Sequence, residues 1–253
     1  MKVFIAGATG VLGRATVWRL VDAGHEVRGI ARSPEKAAQL REAGGEPVEG
    51  VDLFDPDAVR HAVEGADAVV HMATSIPQVK QAWRTKAWSM NDRLRREVTP
   101  ILATAAHDAG ARCFVKESVC FFYAPQGDAW IDEDRPITCN DFSDASLSAE
   151  AAAVDFGDDA GRTGVALRFG LFYSADARSL EEGLWMAKFG TGPVVGRPEA
   201  FQPSIYVDDA GTAIVAALDA PTGYYNVADE PVTKGRWNEA FFEAFDIAKK
   251  PRP

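Results

Sequence analysis

Residues 1–14 read MKVFIAGATGVLGR. Val3, Phe4, Ile5 and Ala6 form a short apolar run, the pattern of a strand buried on both faces. Gly7, Gly10 and Gly13 follow with the spacing GxxGxxG, and an amphipathic stretch runs from Val11 to Ala23. Strand, glycine turn and helix in that order predict a pyrophosphate site formed by Gly7, Thr9, Gly10, Val11, Leu12 and Gly13. Without a Cβ the backbone can turn tightly, approach the phosphates and let the helix pack on the strand. The helix start then offers unpaired N–H groups and the positive end of its dipole. An ordinary glycine-rich turn would read the same in isolation. Its position directly after the first strand favours the nucleotide.

Working outward, the second strand runs from Glu26 to Ile30 and ends in Ala31, Arg32 and Ser33. An acid at that end would hold the ribose hydroxyls of NAD and repel a 2′-phosphate; an arginine and a hydroxyl would bind the phosphate. Arg32 and Arg14 therefore predict NADP(H) in preference to NAD(H), the alternative being that Arg32 only solvates a strand end. Further strands are expected at Pro47–Leu53, Ala66–Met72, Arg112–Val119 and Gly164–Gly170. Helices are expected at Glu35–Ala43, Asp55–Val63 with Asp55 as N-cap, Gln78–Ala109 interrupted by Pro100, and Leu147–Phe156. This alternation is that of an α/β doubly wound parallel sheet. The fourth strand delivers Ala73, Thr74 and Ser75 to the C-terminal edge, where such sheets bind ligands. His71 is expected to pack there rather than catalyse. Leu171–Pro203 breaks the alternation and is rich in glycine and aromatics, and Trp237–Phe245 reads as a final helix.

The whole chain has 253 residues, enough for one domain or one domain with a small appendage. Lys+Arg 27 against Asp+Glu 37 gives a net charge of −10, which disfavours nucleic acid or an anionic membrane as partner. No apolar run approaches the ~18 residues of a membrane span, and the N-terminus lacks a signal-peptide layout. Cys113, Cys120 and Cys139 are an odd number without CxxC spacing, which fits a reduced, cytoplasmic protein. Four scattered histidines offer no metal-ligand spacing, and no metal is expected.

The GATGVLG turn resembles the TGxxGxxG turn of the short-chain dehydrogenase/reductase superfamily. It is most similar to the extended and atypical branches, which include nucleotide-sugar epimerases and dehydratases. Further motifs follow in the order of that branch. Asp52-Leu53 resembles the acid–hydrophobe pair at the adenine, and Ser118 and Tyr123 resemble the serine strand-end and Val-Tyr-Gly turn. Ser204–Ala210 resembles Ile-His-Val-Asp-Asp-Ala, and Tyr224–Val227 resembles the Tyr-Asn-Val strand. An Asn-x-x-Gly-Thr element is replaced or shifted, with Arg95–Thr99 in its place and Asn91 one turn earlier. The resemblance implies a Rossmann domain over 1–170. It places a small substrate-binding lobe over 171–253, with about 204–230 returning to the first domain. It adds Asp52, Leu53, Ala73, Thr74, Phe169, Gly170 and Phe172 to the cofactor contacts. The ending at Pro253 is abrupt for this branch, which implies a missing tail.

The superfamily's Tyr-x-x-x-Lys pair occurs nowhere in this sequence. Anchored on Glu150, Phe142 stands at the tyrosine and Ser146 at the lysine, and neither side chain can do that work. Three readings stay open. One is a reductase without the pair, similar to atypical aromatic-polyketide ketoreductases, acting on a small carbonyl compound. Its proton would come from Ser118, Tyr123, Thr74, Ser75, water or a substrate hydroxyl. The others are a redox-silent NADP sensor resembling the NmrA-like branch, and a non-redox isomerase or cyclase. A monomer or a homodimer fits equally.

Overall fold

The computed structural model describes residues 1–138, 141–159, 161–175 and 177–247, with the backbone alone for 141, 142 and 178. Cys139 and the side chain of Phe142 lie outside the described residues.

The first strand, β1 (Lys2–Ala6), is buried over Val3–Ala6. It continues through α1 (Val11–Asp22), β2 (Glu26–Ala31), α2 (Pro34–Glu42), β3 (Glu46–Glu49), α3 (Pro56–Val63) and β4 (Ala68–His71). After β4 come α4 (Ser89–Arg93), a π-helical turn (Leu94–Val98), α5 (Thr99–Asp108), β5 (Cys113–Val119), α6 (Asp141–Asp155) and β6 (Thr163–Phe169). The last part holds β7 (Leu171–Tyr173), α7 (Arg178–Ala187), β8 (Phe201–Gln202), β9 (Ser204–Tyr206), α8 (Val207–Ala217), β10 (Gly223–Val227), β11 (Val232–Thr233) and α9 (Lys234–Ala244).

Seven of these strands form one sheet in the order β3-β2-β1-β4-β5-β6-β10, with every pairing parallel. Its two faces are covered by separate apolar clusters. Val3 and Ile5 pack with Val17 and Leu20 of α1 and Ile214 of α8. Phe4 packs on the other face with Val59, Val98 and Leu102. This is why β1 is apolar at every position after Lys2 instead of alternating. The sheet is the expected doubly wound Rossmann architecture. Its seventh strand comes from the C-terminal part of the chain, and α8 seats against α1 through Gly211, where a Cβ would lie 2.9 Å from the Ala15 carbonyl carbon.

Local chemistry sets the helix starts. Asp55 caps α3 by accepting from the N–H groups of Asp57 and Ala58, and Ser33 caps α2 by accepting from Lys36. The expected helix over Gln78–Ala109 is shorter and broken. Residues 76–84 form a loop, and the helical part begins at Thr85 with a 3₁₀ turn. Its π turn ends just before Pro100, which has no N–H to donate and whose ring crowds the carbonyl four residues back. The loop docks on α7 instead. The Val79 N–H donates to Glu182, and the Lys80 ammonium lies 4.4 Å over the Trp185 ring. Among the described residues no helix is long and apolar enough to cross a membrane.

Candidate functional site

The strand order reverses at β1, so the loops after β1 and β4 diverge and open a crevice at the C-terminal edge. Gly7 forms its floor. Its φ is +100°, and a Cβ there would lie 2.6 Å from backbone atoms of Met72 and Ala73. A Cβ on Gly13 would lie 2.1 Å from the Gly7 carbonyl oxygen. The two glycines thus bring the β1 turn against both the β4 loop and the start of α1. Gly10 caps α1 without a side-chain bond, so the N–H groups of Val11, Leu12 and Gly13 have neither an intrahelical acceptor nor a side-chain cap. That cradle, which a Cβ would fill, fits a pyrophosphate.

Beside it, a cleft of about 290 Å³ is lined by Ala31, Arg32, Ser33, Pro34, Glu49, Gly50 and Val51. Arg32 is exposed. Ser33 is engaged on both sides. It accepts from the Lys36 N–H and donates to Glu35, whose carboxyl this bond holds below its usual range. Asp52 accepts from the Phe54 N–H at 2.9 Å, shaping the turn that presents half-buried Leu53. Across the crevice, the Ser75 N–H donates to Asn91 Oδ1 at 3.1 Å. Asn91 is 4% exposed and fastens the loop carrying Ala73 and Thr74.

The hydroxyls expected near a substrate are placed differently from one another. Thr74 is half-buried on the β4 loop. Ser118 is wholly buried, and its Oγ has no hydrogen-bond partner. It pairs in register with Arg168. Tyr123 is half-buried, accepts from Arg168 Nη1 at 2.8 Å and donates to Asn226 Oδ1 at 2.8 Å. Burial pushes its phenol above the ordinary range, against the pull of Arg168. Tyr123 therefore sits on the Arg168 guanidinium while Ser118 only pairs with Arg168 along the strands, and none of the described hydrogen bonds joins either to Thr74. Phe169 is fully buried in the core and meets half-buried Phe172 ring to ring at 5.3 Å.

Sequence reading missed the polar layer under the ends of β4, β5 and β6. Arg168 makes a forked ion pair with Glu150, at 2.7 to 3.2 Å. Arg95 donates to Ser146 Oγ at 2.6 Å and lies 3.8 Å from Glu117. Lys116 donates to the Glu117 carbonyl, and its ammonium is 3.4 Å from the Glu117 carboxylate. His71 donates from Nε2 to the Leu94 carbonyl at 3.4 Å. Burial, with Lys116 adding to it, holds the His71 ring far below its usual pKa and uncharged. It packs, as expected, and does not titrate near neutrality. Arg95 is buried, because the π turn rotates it inward beside Leu94 and Val98.

A seven-stranded doubly wound sheet with this glycine cradle defines a nicotinamide-dinucleotide protein. The model of the NAD dependent epimerase/dehydratase family matches residues 3–228, and the chain belongs to that family. It is 32% identical over 247 residues to a 3-diazoavenalumate denitrifying reductase of a Streptomyces species, covering 94% of this chain and 79% of that one. It is 27% identical to a 2-alkyl-3-oxoalkanoate reductase of Shewanella oneidensis, covering 92% of this chain and 63% of that one. Among solved structures it superposes on MoeE5 in complex with UDP-glucose and NAD with a TM-score of 0.79 at 21% identity, over 98% of this chain and 83% of the other. A UDP-glucose 4-epimerase of Thermus thermophilus in complex with NAD gives 0.77 at 21% identity, over 100% and 86%. The chain is an NAD(P)-dependent oxidoreductase of this family.

Proposed function

We propose that the chain is an NADPH-dependent ketoreductase that reduces a small cyclic or aromatic carbonyl compound without a Tyr–Lys pair. The observation that carries this reading is the cleft at the end of β2, where Arg32 is exposed at the strand end and the lining acid, Glu49, is paired with Arg41 at 3.4 Å. An arginine in that place binds a 2′-phosphate by charge and by a forked pair of donors. A reduced nicotinamide supplies the hydride when bound. The chain's own part is to hold the carbonyl against it, to exclude water and to let a proton reach the new alkoxide. Ser118 is covered and the Tyr123 hydroxyl is already bonded on both sides, so we assign the proton to water or to a hydroxyl on the substrate. The half-buried Thr74 guides that proton at the crevice. We assign the substrate to the face of the C-terminal lobe that presents Phe172, Trp185 and Phe189.

Three measurements test this. Arg32→Ala weakens NADPH binding by about tenfold, the loss of one charge-assisted contact, and leaves NADH binding unchanged; an unchanged preference between the two removes the phosphate assignment. The protein with NADPH and a panel of cyclic and aromatic ketones loses absorbance at the reduced-nicotinamide band in a ketone-dependent manner. Ser118→Ala keeps that turnover within about threefold, because a covered hydroxyl contributes no transition-state contact. A second reading, a nucleotide-sensing protein, draws on exposed Trp83, Phe189 and Val195, which are 75%, 69% and 67% accessible. Tight NADPH binding with no oxidation by any ketone favours it.

A further inference from the structure

The polar layer beneath β4–β6 carries a charge imbalance. His71, Lys116, Ser118 and Arg168 lie on one face of the sheet, because His71 pairs with Lys116, Ser118 pairs with Arg168, and Lys116 and Ser118 are alternate residues of one strand. Arg95 covers them from the π turn, and Ser146 and Glu150 cover them from α6. Three cations (Arg95, Lys116, Arg168) face two carboxylates (Glu117, Glu150), and none of the five is more than 4% exposed. With His71 uncharged, one positive charge is in excess among the described residues. Arg168 and Glu150 neutralise one another in their forked pair. The excess therefore resides with Arg95 and Lys116, which share Glu117. Arg95 Nε has no partner, and no third carboxylate lies among these buried groups to balance the excess.

This charge sits under the half of the sheet that lies past the switch point. In a doubly wound fold, β1 to β3 hold one mononucleotide and the strands beyond hold the other. The Arg32 cleft marks the first half at the end of β2. Asn91, one turn before Arg95, fastens Ser75 in the loop at the edge of the second. The nicotinamide end of the dinucleotide thus falls over the ends of β4 and β5.

We propose that Arg95 and Lys116 are positioning charges that select the oxidation state of the cofactor, favouring the reduced, uncharged nicotinamide over the oxidised, cationic ring. The inference rests on the nucleotide being bound as described above. In a buried, weakly screened setting one unit of charge discriminates between a neutral and a cationic ring. It biases the protein toward reduction and toward release of the oxidised cofactor, and it also lowers the energy of a developing alkoxide.

The test needs no carbonyl substrate. Equilibrium titrations with NADPH and with NADP⁺ are compared for the wild type, Arg95→Met and Lys116→Met. The wild type binds NADPH roughly tenfold more tightly than NADP⁺, and each variant brings the ratio toward one. A pH series on the wild type gives the same information without a substitution. Burial, with Arg95 adding to it, lowers the Lys116 ammonium to about 8 against the pull of Glu117 and Glu150. The other groups facing it are His71, already uncharged, and Arg168, which stays charged. The NADPH preference therefore holds at pH 7 and falls as the pH rises through about 8. In Lys116→Met it is flat across that range, and if that variant does not fold the wild-type series decides. Equal affinity for both forms, or a ratio unmoved by pH and by both substitutions, overturns the inference while the nucleotide site stands. Failure to bind either form overturns both.

Discussion

Glu150→Ala lowers the folding stability by about 3–5 kcal/mol, the range for removing one member of a buried pair, and lowers Tm by about 10 °C for a domain of this size. The reason is the charge that it leaves behind. Arg168 is 3% exposed and directs Nε and Nη2 to the Glu150 carboxylate. Without that carboxylate, Nη1 still donates to Tyr123, but the guanidinium keeps its charge in a dry setting. The damage spreads along the network. Tyr123 donates to Asn226, and the Asn226 backbone N–H donates to Glu133 at 2.6 Å, so the loop carrying residues 131–133 hangs on the same pair. Glu150→Gln keeps an acceptor and costs less. Arg168→Met together with Glu150→Leu removes both charges and restores most of the loss, since a volume-filling apolar pair replaces a buried ionic one at little cost. Thermal or urea unfolding of the four proteins checks the order. Equal loss in the single and double variants shows that packing, and not the unpaired charge, dominates.

The same network marks where sequence reading stopped. The glycine cradle was legible because its residue types answer to backbone geometry. Gly7 has a positive φ and meets Met72 and Ala73, as a turn without a Cβ must. The Asp55 cap was legible for a similar reason, since side-chain oxygen and N–H partners are two or three residues apart. Pairings across the fold were not. Arg95 reaches Ser146 over 51 residues, and Arg168 reaches Glu150 only through the packing of α6 on β6. A signal was nonetheless present. Lys116 and Glu117 interrupt an apolar run in a strand that must be central, and charges in such a strand are buried and need partners. The helix after β4 showed the converse limit. Pro100 announced a break, but not that the chain would widen into a π turn and face Arg95 inward. In the site itself, Ser118 carried the right residue type at a strand end. Strand register put its hydroxyl on the buried face with Lys116 and Arg168, where it meets no partner.

Gly13→Ala has the second large effect, this time on binding. A Cβ there lies 2.1 Å from the Gly7 oxygen and 2.6 Å from the Ala8 carbonyl carbon, both backbone atoms that cannot swing aside. Gly7 cannot retreat, because backbone atoms of the β4 loop already fill the space beside it. The start of α1 must therefore move away from β1, and the N–H groups of Val11 and Leu12 move with it. Overpacking of this kind costs about 1–3 kcal/mol in the fold. A comparable loss of phosphate contact weakens NADPH binding by about ten- to a hundredfold. Gly10→Ala is the control. Its Cβ meets only the Gly7 oxygen, at 3.4 Å, an ordinary contact, so it leaves the fold intact and any loss of binding reports the ligand's own approach to that backbone. Fluorescence titration with NADPH, read beside the melting temperature of each variant, separates the two effects. If Gly13→Ala binds as the wild type does, the phosphates do not sit at the start of α1. If Gly10→Ala fails as severely as Gly13→Ala, the ligand itself fills the space at Gly10, and the pyrophosphate lies nearer the tip of the turn than the helix start requires.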